Sequence, residues 1–374
     1  MEVPLYLPWI TPQEKSLVLK GLKNPHLTDG PQLRKFEKNF SKKTNTKFAI
    51  GVSNGTSALH LSLLSANIQK NDEVLVPDFT FAATANAVIL ANAKPVLVDI
   101  DESLNISETS IESKITKKTK AIMPVHFAGL ACNMEKILKI SKKYNLKIIE
   151  DCAHAFGTFY KEKHVGSFGI AGCFSMYPTK NITTIEGGMI ITNSKDLSKK
   201  ANLLRNHGLS RSLVNRNNAQ KPWDYDIISP GYNYRLDEIR SRLGISQISR
   251  ANTIRTKRIN AAKYYNRKLP NDDSIELVNL NRESEHSYHL YIIRIKGKSK
   301  ISRNSLHEKL FKSGIKTTVH YKPLHKFSYL KKSNPKDFPV SERAYSQCLT
   351  LPLYPTITRK QQDFVIKNII KHVY

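Results

Sequence analysis

Lys180 is the residue of this 374-residue chain placed best for covalent chemistry. Residues 174–177 read as a short buried strand that Pro178 ends, and residues 189–192 read as a second apolar strand after the flexible pair Gly187-Gly188. A lysine on the turn between two buried strands points along the sheet edge, and a desolvated lysine amine attacks carbonyl carbon to form a Schiff base. Taken alone, Lys180 reads as a solvated side chain of a lysine-rich chain. Three other stretches change that reading. Ser53-Asn-Gly-Thr-Ser57 joins a buried strand at 48–52 to an apolar helix, and Gly55, Thr56 and Ser57 there form a phosphate cradle. Free N–H groups and the helix dipole point at an anion in such a turn, although the same residue types also make a plain helix cap. Asp151 and His154 follow the apolar run 146–150, and Phe79 and Phe81 follow the run 74–76. Ligands of parallel sheets bind beyond such strand ends.

Cradle, aromatic platform (Phe81), strand-end acid (Asp151) and turn lysine (Lys180) together form the parts of a pyridoxal 5'-phosphate site. The carboxylate keeps the pyridinium nitrogen protonated, and the lysine carries the cofactor and moves a proton between the exchanging carbons. Other chemistries lack their motifs. No G-x-G-x-x-G follows the first strand, no Walker A or H-E-x-x-H sequence occurs, and no G-x-S-x-G elbow is present. His320 and His325, five apart across Pro323, have no recognised metal-ligand spacing and read as substrate-contact or structural histidines. Cys132, Cys152, Cys173 and Cys348 lie far apart without a C-x-x-C pair, which predicts buried thiols.

Residues 73–150, which hold several of these, alternate strands and helices. The strands are near-continuous apolar runs, a pattern that predicts a mainly parallel sheet sandwiched by helices. An N-terminal arm at 1–30 is punctuated by prolines, and residues 222–235 read as an aromatic-rich loop before a helix that bends at Gly244. The spacing then predicts a smaller C-terminal α+β unit with strands at 275–278, 288–295 and 316–320 and a last helix behind Thr358. The expected division is 1–245 and 246–374. A formal charge of +28 suits polyanions, nucleic acid among them, or a phosphorylated or nucleotide-linked substrate, but the lysines are dispersed and no nucleic-acid signature accompanies them. Without an apolar run able to span a bilayer or a leader pattern, a cytoplasmic protein is expected.

In its blocks Ser53-Asn-Gly-Thr-Ser-Ala-Leu-His60, Glu150-Asp-Cys-Ala-His-Ala-Phe-Gly157, Phe174-Ser-Met-Tyr-Pro-Thr-Lys-Asn181, Arg205-Asn-His-Gly208 and Gly231-Tyr-Asn-Tyr-Arg235, the chain resembles the DegT/StrS nucleotide-sugar aminotransferases. The resemblance implies the fold-type-I pyridoxal phosphate architecture, with Lys180 as Schiff-base lysine and Asp151 as partner of the ring nitrogen. It also places His154 near the ring hydroxyl, Phe81 on the ring face, and Gly55, Thr56 and Ser175 around the phosphate. Asn233 matches an asparagine supplied by the neighbouring subunit, with Arg235 close by, so a homodimer with shared sites is implied. His320 and Tyr321 match a His-Tyr pair near the sugar. Two departures stand out: Arg240-Ser241-Arg242 replaces a small apolar stretch, and Ile185 stands where glycine often precedes Glu-Gly-Gly. The implied reaction moves an amino group from L-glutamate to a nucleotide-linked keto sugar, at C4 of a 4-keto-6-deoxy sugar, with C3 amination as the alternative. A DNA-associated regulator or a noncatalytic subunit on the same fold are alternatives of another class.

Overall fold

The computed structural model describes residues 1–210, 221–278, 286–330 and 334–374. Its main sheet has seven strands: β1 (Phe48–Val52), β2 (Glu73–Pro77), β3 (Lys94–Val98), β4 (Thr119–Ile122), β5 (Lys147–Asp151), β8 (Ala171–Ser175) and β9 (Gly188–Thr192). Between them a short hairpin pairs β6 (Phe159–Tyr160) with β7 (Lys163–His164). The order across the main sheet is β1-β9-β8-β5-β4-β2-β3. Strands β8, β5, β4, β2 and β3 run parallel, and β9 is antiparallel to both β1 and β8. Successive residues feed two cores, one on each face. Leu75, Ile148 and Ile191 join Phe36, Phe40 and Phe174 on one side, while Val74, Val76, Ile149 and Ile190 join Leu59, Leu63 and Val88 on the other. That division is the period-2 geometry of a strand buried on both faces.

Local signals set several helix ends. The expected arm contains a helix, Pro12–Leu22, which Thr11 and Glu14 start as a reciprocal capping box with Pro12 in its first turn. Proline is tolerated there because the first-turn N–H has no intrahelical partner, so what read as punctuation is a start. The helix Pro31–Thr44 has no side-chain cap of its own. Buried Glu238 supplies one instead, accepting the N–H groups of Gly30, Gln32 and Leu33 at 2.9–3.0 Å. The expected bend at Gly244 is not there: Glu238–Ser249 is one helix, and the break falls at Arg250 before Ala251–Lys268. Gly244 serves close packing, since a Cβ would lie 2.5 Å from Phe36 Cζ. The altered Arg240-Ser241-Arg242 stretch stays helical, with Arg240 bonded to Asp237 and Ser241 buried.

The C-terminal part builds a three-stranded antiparallel sheet from β10 (Ile275–Leu277), β11 (Tyr291–Ile295) and β12 (Cys348–Leu351). Its own core includes Tyr265, Ile293, Leu306, Leu310, Leu349, Val365 and Ile369, and Val3 from the N-terminal arm joins it. The strand expected at 316–320 is absent. Thr318 makes one isolated bridge to Thr350, and two residues later His320 turns its Nδ1 onto the Thr350 hydroxyl instead of continuing the ladder. All four cysteines are buried free thiols. Among the described residues no helix is long and apolar enough to cross a membrane.

Candidate active site

A cavity of about 570 Å³ opens at the carboxyl ends of the parallel strands, lined among others by Gly55, Thr56, Phe81, Asp151, His154, Ser175, Lys180, His320 and Tyr321. Nine of the twelve residues singled out in the sequence therefore meet at one place. They arrive on several different connections, as expected of a site built at strand ends.

Lys180 lies in the crossover from β8 to β9, an antiparallel pair in the sheet. The crossover is closed by Met176 N–H to Gly187 O (2.8 Å), Thr184 N–H to Met176 O (3.0 Å) and Lys180 N–H to Tyr177 O (2.9 Å). Glu150 fixes the approach to β8 by accepting the N–H groups of Gly166, Phe168 and Gly169 at 2.7–2.8 Å. Burial of its amine pulls the Lys180 pKa down to about 8, against the opposing pull of Asp151. At neutral pH a usable fraction of this side chain is free base, which an exposed lysine is not.

Asp151 is the last residue of β5 and is buried. Burial raises its pKa, while the Ala153 N–H and the Thr84 hydroxyl work the other way. Oδ1 accepts from Ala153 N–H at 3.1 Å and Oδ2 from Thr84 Oγ1 at 2.9 Å. Thr84 was not singled out in the sequence. Its signal there is a hydroxyl in a mostly apolar helix, Ala82–Leu90, three residues after Phe81. Phe81 is 58 % exposed at the start of that helix, its ring 5.8 Å from Tyr321. A large aromatic left open toward a cavity offers a face rather than core filling.

His154 is buried, and Ala128 N–H donates to its Nδ1 at 3.3 Å. In the neutral ring the proton therefore sits on Nε2 and is donated to Tyr321 Oη, 3.1 Å away. Burial, with Lys180 and His320 nearby, holds its pKa well below the usual histidine value. Burial and Lys180 likewise bring His320 down to about 4. The histidines beside the lysine are neutral.

Of the three residues expected to form the cradle, Gly55 and Thr56 line the cavity and Ser57 does not. The helix Gly55–Ser65 is capped by Asn54, whose Oδ1 takes the Ser57 N–H at 2.8 Å. Ser57 itself does not line the cavity, because its hydroxyl is held by Ser53 Oγ and Asn54 Oδ1 at 2.9 and 3.0 Å. The first-turn amides of Gly55 and Thr56 are left for an anion. A Cβ on Gly55 would lie 2.8 Å from Ser175 Cβ, so glycine keeps this floor open. Asn233 and Arg235 do not line the cavity. Asn233 is exposed, while Arg235 donates to Asn206 Oδ1 at 2.7 Å and faces a second cavity with Arg34 and Lys199.

The model of the DegT/DnrJ/EryC1/StrS aminotransferase family matches residues 8–370. The chain belongs to that family. It is thus an aminotransferase, and its relatives agree over full length. The spore coat polysaccharide biosynthesis protein SpsC of Bacillus subtilis is 35% identical, over 98% of this chain and 96% of its own. Helicobacter pylori PseC, an aminotransferase involved in the biosynthesis of pseudoaminic acid, superposes with a TM-score of 0.93 at 30% identity, covering 100% of this chain and 99% of PseC. NtdA of Bacillus subtilis, solved with bound cofactor PMP, gives a TM-score of 0.85 at 30% identity, over 97% of this chain and 83% of NtdA. The mainly parallel sheet flanked by helices is the fold these aminotransferases share.

Proposed function

We propose that the chain binds pyridoxal 5'-phosphate and transfers an amino group from L-glutamate to C4 of a nucleotide-linked 4-keto-6-deoxy sugar. The observation that carries the reading is the shared cavity of Lys180 and Asp151, a lysine with a lowered pKa and a buried carboxylate, beside an anion-ready helix start. The residues fit the cofactor. Gly55 leaves a floor that any Cβ would fill, and the Gly55 and Thr56 amides with Ser175 suit a phosphate.

When bound, the pyridinium ring supplies an electron sink through which the amino group passes from donor to acceptor. The chain's own residues do the rest. The Asp151 carboxylate, pinned by Thr84 and Ala153, is held where it can keep a ring nitrogen protonated. Lys180 Nζ, a usable fraction of it free base at neutral pH, takes and returns the proton that exchanges between carbons. Phe81 covers one face of the cavity against water, and the His154–Tyr321 pair offers hydrogen bonding at its far wall. His320 and Tyr321 are proposed to meet the sugar.

A homodimer with shared sites is part of the proposal. Asn233 is exposed and does not line its own cavity, and it follows a run of exposed apolar side chains, Trp223, Tyr225, Ile227 and Ile228, the kind of patch another chain covers. Ile228→Asp is expected to yield monomers in sedimentation and to weaken cofactor binding. The division at 245/246 is likewise proposed, with limited proteolysis near Arg250 as its test. For the reaction itself, cofactor-loaded protein is mixed with glutamate and then with a panel of C3 and C4 keto sugars. Spectral conversion by glutamate and mass gain on a C4 sugar support the reading; amination of C3 sugars alone replaces it by the alternative.

A further inference from the structure

The segment carrying His320 and Tyr321 is fastened to the main sheet at one histidine that the reaction does not use. His325 is 2 % exposed, its ring stacked on Phe338 at 4.8 Å and 8°. Nδ1 lies 2.7 Å from Asp78 Oδ2, and Nε2 lies 2.7 Å from Glu342 Oε1. Ionised carboxylates only accept, so satisfying both contacts takes a proton on each ring nitrogen.

Among the described residues the charged groups around the ring are few. Asp78 comes from the connection after β2 and Glu342 from the helix Pro339–Gln347; Lys326 Nζ reaches Glu342 at 2.7 Å. Asp99, at the close of the neighbouring strand, binds the start of the Glu342 helix through Val340 and Ser341 N–H. Burial pulls the His325 pKa down, but hydrogen bonds and charge from Asp78 and Glu342 outweigh it and hold the ring above the usual histidine value.

The connectivity gives this clamp its consequence. Asp78 also accepts Leu324 N–H on its carbonyl (2.8 Å) and His325 N–H on Oδ1 (2.9 Å). Two and three residues beyond Asp78 are Thr80 and Phe81; four and five before His325 are Tyr321 and His320, and all four line the cavity. We propose that His325 is a positioning residue whose imidazolium, held between Asp78 and Glu342, locks the His320–Tyr321 segment onto the Phe81 connection and so keeps the cofactor cavity walled. This inference rests on the reading of that cavity as a pyridoxal phosphate site. Deprotonation turns a lone pair toward one carboxylate, and the wall loosens as pH rises.

The test uses full-length wild type, Glu342→Gln and His325→Asn. Nitrogen NMR of histidine-labelled apoprotein at pH 7 reads the ring directly, and absorbance titration with pyridoxal phosphate gives Kd from pH 6.5 to 9.5. Expected are two protonated ring nitrogens in wild type, and a Kd that rises with pH. In Glu342→Gln that rise moves about one pH unit toward acid, with Kd at pH 6.5 unchanged. His325→Asn weakens binding about tenfold at pH 6.5 and lacks the shifted limb. Lys180 titrates alike in wild type and Glu342→Gln, so their difference belongs to His325. A neutral His325 at pH 7, or superposing wild-type and Glu342→Gln curves, overturns the inference while leaving the cofactor reading intact. Absence of cofactor binding by wild type overturns both, and should His325→Asn fail to fold, the Glu342→Gln comparison decides alone.

Discussion

The Thr84 hydroxyl donates to Oδ2 of Asp151 at 2.9 Å and is itself 3.0 Å from Thr80 Oγ1, so a buried carboxylate at a strand end is oriented by a helix 67 residues away in sequence. A hydrogen bond to a charged group contributes about 1.5–3 kcal/mol. Thr84→Val keeps the shape and removes the donor. Cofactor affinity is expected to fall about tenfold, and most at acidic pH, where the Asp151 carboxylate, left with one donor fewer, protonates more readily; absorbance titration across pH 5–8 checks this.

Asp151→Asn should separate stability from activity. Burial raises the Asp151 pKa in the folded chain, so the native state binds this proton more tightly than the unfolded chain does. Such a group costs stability as pH rises above the unfolded aspartate value of about 3.9. The apoprotein of the variant should therefore melt higher than wild type at pH 7, with the gain vanishing below about pH 4. Aminotransfer should drop about a hundredfold or more, as when a charge-stabilising group is removed. Scanning calorimetry and single-turnover kinetics measure the two effects.

Lys180 carries the opposite pH signature. Its folded pKa of about 8 lies below the unfolded value, so the native state loses the proton first and stability rises with pH between the two. Lys180→Met is expected to raise the melting temperature of apoprotein most below pH 8, the difference closing toward about pH 10.4. The same variant should form no borohydride-reducible adduct with pyridoxal phosphate. Equal melting shifts at pH 7 and pH 10 would contradict the buried-amine assignment.

Ile185 sits at φ 72° with 58 % of its surface exposed. Left-handed backbone costs an L-residue about 1–2 kcal/mol, and a β-branched one gains nothing in return. Ile185→Gly removes that strain but loosens the unfolded chain by about 0.4–1 kcal/mol. A net stabilisation of about 0.5 kcal/mol is expected from urea midpoints, with Ile185→Asn in the same direction.

Gly244→Ala tests the opposite expectation in a helix. Alanine normally stabilises a helix interior by about 1 kcal/mol over glycine. Here its Cβ would fall 2.5 Å from Phe36 Cζ inside a packed core. Overpacking of about 1–3 kcal/mol should win, giving a lower denaturation midpoint with an unchanged m-value.

Much of the site was legible because its parts are local. The Gly55-Thr56 turn, Asp151 at a strand end and Lys180 between two apolar runs each announce themselves within a few residues. Buried parallel strands read as apolar runs for the same reason, since both faces of one short segment must be hydrophobic. Ser57 carries two readings because a cap and an anion cradle use the same residue types; only the tertiary structure shows that its hydroxyl meets Asn54 and Ser53.

Sequence alone determined the sheet, the order of the candidate site residues and the family they resemble. Tertiary structure decided which distant groups complete them. Thr84 on Asp151, Glu238 capping the helix at Pro31, and His325 between Asp78 and Glu342 join residues 67, 205 to 208 and up to 247 positions apart. Buried polar groups must find partners wherever the fold brings them, and no local pattern records that choice, because hydrogen bonding across the core depends on distance in space and not along the chain.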